Sequence, residues 1–244
     1  MELDLLLIFM LILVSTGAAF VARVSGFGSG IFAMLFLPYL FGDTVTAAAV
    51  SGLWSTATSL ANAIKFRKNV QFHLIFPIII PAMVLLSLSV KVSTNVPTEA
   101  MMLVLGIVLI LLSLYFLFFS HKLHLKASVP VSIGVGSVGG ILSGLFSTGG
   151  PPIVLYLSGI LQDKLTYFAT IQCYFAITDI YGFANRVLNG IVTWQILLYA
   201  AIGWIGSWIG NLLGGLVFDK LDGAKIKKII YIGMIVSGVL MMVK

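Results

Sequence analysis

The residues best suited to chemistry in this chain are small ones. Residues 25 to 30 read Ser25-Gly26-Phe27-Gly28-Ser29-Gly30, and residues 147 to 152 read Ser147-Thr148-Gly149-Gly150-Pro151-Pro152. A glycine costs about 1 kcal/mol relative to alanine inside a helix. Gly26, Gly28 and Gly30 also stand two apart, so no helix face collects them. Both stretches read as helix interruptions. An interrupted helix leaves backbone N–H groups without partners, and the helix that restarts points its positive dipole end at the gap. Hydroxyls add donors, and a proline at a helix start gives up no bond the helix would use. Two such clusters facing each other would bind a small anion with neutral donors. The candidate contacts are Ser25, Gly26, Gly28, Ser29 and Gly30 from the first cluster, and Ser147, Thr148, Gly149 and Gly150 from the second.

Ionisable residues in apolar surroundings are the next candidates, because placing them there is costly. Arg23 immediately precedes the first cluster and could hold an oxyanion through two parallel hydrogen bonds, or snorkel from a helix end to the interface. Asp179 lies near the middle of an apolar run. It reads as a proton carrier for coupling, as a charge balanced by Arg23 or Arg186, or as a hydrogen-bonded neutral acid. Asn185 and Arg186, at the end of that run, read as interfacial anchors. Ser51 and Gln172 are expected to present polar groups to a shared central cavity, with Ser55, Thr58 and Asn62 as weaker candidates. Gly140/Gly144 and Gly206/Gly210/Gly214, spaced by four, read as close helix packing. Trp54, Trp194, Trp204 and Trp208 read as packing or interface residues.

The elements that must position these groups are membrane helices. Of 244 residues, 60% are hydrophobic and 9% charged, against about 25% charged in soluble domains. Apolar runs cover Leu5–Ala22, Ile31–Phe41, Val45–Ile64, Val70–Val90, Met101–Phe119, Val129–Leu161, Leu165–Val187, Ile191–Phe218 and Ile226–Val243. They lack the polar/apolar alternation of barrel strands. The start Met1-Glu2-Leu3-Asp4 lacks the positive region of a signal peptide, so the first run is expected to be a mature segment. The single Cys173 rules out an intramolecular disulfide and a cysteine-cluster metal site. Lys65, Arg67, Lys68, Lys122, Lys126, Lys220, Lys225, Lys227 and Lys228 fall between runs, where basic residues report orientation and not a nucleic-acid partner.

A shift of 121 residues lays Gly28 on Gly149, Ala48 on Ala169 and Val70 on Ile191. The expected fold is therefore an all-α integral membrane protein of two related halves. The first half is 1–119, with a broken segment 5–41 and helices 45–64, 70–90 and 101–119. A basic linker, 120–128, follows. The second half is 129–244, with a broken segment 129–161 and helices 165–187, 191–218 and 226–243. Segment 5–41 as one helix would extend about 55 Å at ~1.5 Å per residue, against a hydrocarbon core of about 30 Å. It must either cross once with excess length or fold back at its glycines. If the three basic loops share the cytoplasmic side, the broken segments fold back and the halves are inverted.

The stretches GFGSGIFAMLFLPYL (26–40) and GGILSGLFSTGGPPIVLYL (139–157) resemble the paired glycine-rich motifs of the sulfite exporter TauE/SafE family. The resemblance extends over essentially the whole chain in length, two-half layout and motif placement. It implies a multi-pass permease of about eight helices in a bacterial or organellar membrane, with the bacterial inner membrane as the expected location, handling sulfite or small organosulfonates. Where the family motif carries a glycine triplet, this chain has Gly28-Ser29-Gly30 and Gly149-Gly150-Pro151. The residues themselves specify only that the solute is small and negative.

The expected partners are a small anionic substrate and the lipid bilayer, with protons as the coupling ion and no nucleic acid. A homo-oligomer is compatible with the sequence and not required by it. No cofactor or metal is expected. An enzyme is disfavoured because His73, His121 and His124 lie in or beside loops, leaving no base for Ser147 at membrane depth. The pattern of a nucleotide-binding loop does not occur. A membrane scaffold is the alternative, and it predicts tolerance of change at Arg23, Asp179 and the motif glycines.

Overall fold

The computed structural model describes residues 4–118, 128–217 and 223–243, so most of the 120–128 linker, Phe119 and Phe218 lie outside the described residues. Among the described residues the chain is helical with no strand. The helices are α1 (Leu5–Ser25), α2 (Ser29–Met34), α3 (Leu37–Phe41), α4 (Thr44–Lys65), α5 (Phe72–Ser93), α6 (Thr98–Phe118), α7 (Val129–Phe146), α8 (Gly150–Ile160), α9 (Lys164–Leu188), α10 (Trp194–Val217) and α11 (Gly223–Val243). Each apolar run thus becomes a helix, and each long segment is divided at its glycines.

The divisions reverse the chain. α1 ends at Gly26, which adopts φ +84° and donates its N–H to the Ala22 carbonyl at 2.8 Å, and Gly28 follows at φ +95°. α2 then runs back along α1: a methyl group added at Gly28 would stand 3.2 Å from Val21, and one at Gly17 would stand 2.6 Å from the Phe32 ring. Positions rise on one helix as they fall on the other, as in a hairpin. α7 ends at Ser147, 121 positions after Gly26 and likewise left-handed at φ +53°. α8 returns along α7, with Gly139 beside Ile153 and the Ser132 hydroxyl 2.7 Å from the Tyr156 hydroxyl.

Two glycine seams join the broken elements to other helices. Methyl groups at Gly206 and Gly210 of α10 would strike the carbonyls of Ile12 and Thr16, and one at Gly214 would stand 3.1 Å from that of Phe20, so α10 lies parallel to α1. Gly136, Gly140 and Gly144 of α7 meet the carbonyls of Ile78, Ala82 and Leu86 in the same way, so α7 lies parallel to α5. The four-residue spacing packs backbones closely, as expected in lipid. Two further pairs are antiparallel. α4 meets α9 through Ser55 with Asp179 and Asn62 with Gln172. α6 meets α11, where Gly106 faces Met242 and Ile110 faces Gly238.

Polar residues gather on the inner pair, α4 and α9. Outside them, α5 turns Phe72, Phe76, Ile80, Val84, Leu88 and Val92 outward as one exposed apolar stripe. Among the described residues, five helices are long and apolar enough to cross a membrane: Leu5–Ser25, Phe72–Ser93, Thr98–Tyr115, Val129–Phe146 and Trp194–Val217. Both inner helices begin at an aspartate. Asp43 accepts from the amides of Val45 and Thr46, and Asp163 from that of Thr166, satisfying first-turn donors that would otherwise be orphaned.

Candidate functional site

The two interruptions meet. A methyl group at Gly30 would collide with the Ser147 carbonyl, and one at Gly150 would stand 3.6 Å from Phe27. Only a hydrogen at position 30 lets the backbones approach this closely. Between them lies a small cavity of ≈ 20 Å³, lined by Gly28, Ser29, Gly30, Ser147, Thr148, Gly149 and Gly150 and by Asp179. That volume holds about one water molecule. The amides of Ser29, Gly30, Gly149 and Gly150 make no hydrogen bond among the described residues. The Thr148 Oγ1 is buried, with the residue 2% exposed, and also has no partner among them. Buried polar groups are normally paired, so this concentration of idle donors marks the cavity as the candidate site.

Four residues of the lining were not first-rank expectations: Ile31, Ser55, Ser143 and Phe175. Ser143 lies one helical turn before Ser147 on the same face of α7, a spacing that could have found it. Ser55 and Ser59 donate to the Asp179 Oδ2 at 2.7 and 3.2 Å, so the carboxylate of α9 is held by hydroxyls of α4. Asp179 lines this cavity and a neighbouring one that also includes Ser143, Ser147 and Arg186.

Arg186 departs from expectation. It is no interfacial anchor: it is 5% exposed, and its Nη2 donates to the carbonyls of Ser143 and Gly144 and to the Ser147 hydroxyl at 3.1, 3.2 and 3.1 Å. The break at Ser147 explains this position. It leaves the Gly144 carbonyl without a helical partner, while that of Ser143 still accepts from the Ser147 amide, and it leaves the negative end of the helix dipole inside the protein, where a guanidinium is favoured.

The remaining expected residues lie beside the cavity. Arg23 donates to the Asn62 Oδ1 at 3.3 Å and stacks over Phe66 and Phe168, with its guanidinium carbon 5.4 and 5.0 Å from the ring centres. It does not line the space between the breaks. The Ser25 hydroxyl lies 2.7 Å from the Val21 carbonyl and 2.6 Å from that of Phe27, within its own turn. Gly26 supplies the bend, and its carbonyl accepts from the Gln172 Nε2 at 3.0 Å. Gln172 therefore fastens the first break from α9. Ser51 instead faces a second small cavity, with Ser29, Ser55, Thr58 and Ser207, so these two residues do not share one. The indole N–H groups of Trp54 and Trp204 donate to the carbonyls of Tyr199 and Leu53 at 3.4 and 2.8 Å, which makes them packing residues.

No curated protein and no solved structure matches the chain. The family model described as sulfite exporter TauE/SafE matches residues 11–241, nearly the full length. The broken helices, their inward-facing donors and this match converge: the chain belongs to the sulfite exporter TauE/SafE family, a family of membrane transporters of sulfur-containing anions.

Proposed function

We propose that the protein is a secondary transporter for a small anion, sulfite or a closely related sulfur oxyanion, bound where the two chain breaks meet. The observation that carries this reading is the contact of Gly30 with the Ser147 carbonyl, beside amides and a Thr148 hydroxyl that have no partner among the described residues. Half-helix ends meeting inside a bundle are the usual binding architecture of secondary transporters. Ser29, Thr148 and the amides of Gly30, Gly149 and Gly150 act as direct donors in this reading. Ser25, Gly26, Gly28 and Gln172 shape and fasten the first bend. Arg23, near the ends of α1 and α4, draws the anion toward the site.

Two related halves, 1–119 and 129–244, account for the packing. Exchanging α1 with α7, α4 with α9, α5 with α10 and α6 with α11 maps the α1–α10 packing onto α7–α5 and returns the α4–α9 and α6–α11 pairs to themselves. The self-paired helices, α4 with α9 and α6 with α11, run antiparallel. A two-fold axis along the helices would leave such partners parallel; an axis across them makes them antiparallel. This antiparallel pairing supports inverted halves, the symmetry that would permit two alternative openings of one site in a bacterial inner membrane.

Asp179 sets the coupling. An ionised carboxylate about 4 Å from a bound anion opposes it by about 4 kcal/mol at an effective dielectric constant near 20. Binding is thus strongly favoured when Asp179 carries a proton, so the two travel together. A cavity of one water volume must also widen to admit an oxyanion, which makes the described arrangement a closed one.

The test is flux in proteoliposomes with sulfite, thiosulfate, organosulfonates and carboxylates, with and without a pH gradient. Sulfur oxyanion movement accelerated by acid on the entry side is expected. Absence of flux for every anion, from a folded protein, would sink the reading in favour of a scaffold.

A further inference from the structure

The wall of the break cavity is small or polar except at two positions. Ile31 of α2 and Phe175 of α9 are the large apolar side chains among its described lining residues. They are held differently. Ile31 is 2% exposed and set in the core. Phe175 is half-buried against that core, with the Tyr174 ring edge-on at a centroid distance of 5.6 Å. A methyl group at Gly150 would stand 3.3 Å from Cζ, the tip of the Phe175 ring, and 3.6 Å from the Phe27 Cβ. The ring therefore points its tip at the second break, and Asp179 lies one turn further along the same face of α9. An aromatic ring is electropositive at its edge and electronegative on its face, so a ring in this attitude admits an anion beside it.

We propose that Phe175 sets the size of the solute, restricting the site to compact inorganic oxyanions such as sulfite and turning away organosulfonates. The assignment rests on the permease reading above and narrows its substrate class. Sulfite and a sulfonate both offer three oxygens to the amides and the Thr148 hydroxyl. They differ at the fourth position on sulfur, which is a lone pair in sulfite and a carbon chain in a sulfonate. A cavity of ≈ 20 Å³ has no place for that chain, so a wall must yield to it. The glycines at the break are already as small as a residue can be, and Ile31 is locked in the core. Phe175 is the large side chain left to decide the matter. Widening enough for sulfite still leaves a carbon chain in collision with the ring tip, and discrimination by such a clash needs no further contact to the favoured solute.

The experiment compares wild type, F175L and F175A in proteoliposomes, measuring kcat/KM for sulfite, methanesulfonate and butanesulfonate. Wild type is expected to move sulfite and to reject butanesulfonate. F175A should raise kcat/KM for butanesulfonate relative to sulfite at least about tenfold, with a smaller rise for methanesulfonate and for F175L. A Phe175 that only supports packing would lower the Tm and slow every anion in proportion. An unchanged ratio therefore overturns the assignment, as does a wild type that carries butanesulfonate as readily as sulfite. If F175A does not fold, F175L decides: a raised ratio supports the assignment and a wild-type ratio overturns it. Failure of selectivity with sulfite flux intact removes the role of Phe175 alone. A folded wild type that moves no anion overturns the permease reading, and this assignment with it.

Discussion

The two chain breaks reach the same reversal by different chemistry. The first is made of backbone freedom: Gly26 and Gly28 take positive φ values that cost glycine little, and one amide from Gln172 holds the Gly26 carbonyl. The second forces a serine into the left-handed region, at about 1–2 kcal/mol for a residue with a Cβ. Side chains offset that strain. The Ser147 hydroxyl donates to the Ala48 carbonyl at 2.7 Å and accepts from Arg186, and two prolines restart the helix. A glycine hinge can relax in many directions. A bonded serine can only release, so in the transport cycle proposed above the first break would act as a hinge and the second as a latch.

Substituting Gly30 tests whether the two breaks depend on each other, and it carries the largest expected effect. Its side chain would enter the Ser147 carbonyl, so Gly30→Val should lower sulfite flux in proteoliposomes at least a hundredfold, with a loss of about 1–3 kcal/mol in stability. Wild-type flux in that variant would mean that the breaks do not act together. Next comes Asp179→Asn, which removes the proton site while keeping an acceptor for Ser55 and Ser59. Its flux should lose the acceleration by an imposed pH gradient, about tenfold, while exchange at equal pH persists.

Hinge and latch separate at Ser147. Ser147→Ala keeps the strain and removes the hydrogen bonds, and should destabilise by about 1–3 kcal/mol in thermal melting. Ser147→Gly removes both strain and bonds and should lose less. Gly26→Ala should lose about 1–2 kcal/mol through backbone strain alone, with its methyl 3.1 Å from Tyr167. Equal losses for the two Ser147 variants would erase the distinction between latch and hinge.

The smallest effect concerns the aspartates that start the inner helices. Hydrogen bonds from the Thr166 hydroxyl and amide hold the Asp163 carboxyl below the usual carboxylate range. Its folded value is lowered, so its contribution is present above the unfolded value of about 3.9 and lost as pH falls through the folded one. Asp163→Asn should flatten the fall of melting temperature between pH 5 and 3.

The breaks were legible because glycines two apart contradict any helix face, and Pro151-Pro152 marks a restart. The cavity lining followed from them almost residue by residue: Gly28, Ser29, Gly30, Ser147, Thr148, Gly149 and Gly150 all reach it. The arginines were not legible. Arg23 adjoins the first motif in sequence, but the helix turn that separates them directs it to Asn62 and two rings. Arg186 stands 39 positions beyond Ser147 and meets it only because α9 passes the end of α7. Linear proximity identifies bends well and reports poorly on which distant side chain a bend will attract.

The glycine seams carry a mechanical consequence. Each welds a broken helix to a helix from the opposite half, α1 to α10 and α7 to α5. In the transport cycle proposed above, the bodies that rock would then be hybrids of the two proposed halves, not the halves themselves. Fragments separated at the central linker would each expose a bare seam to lipid, and should recover activity only when produced together.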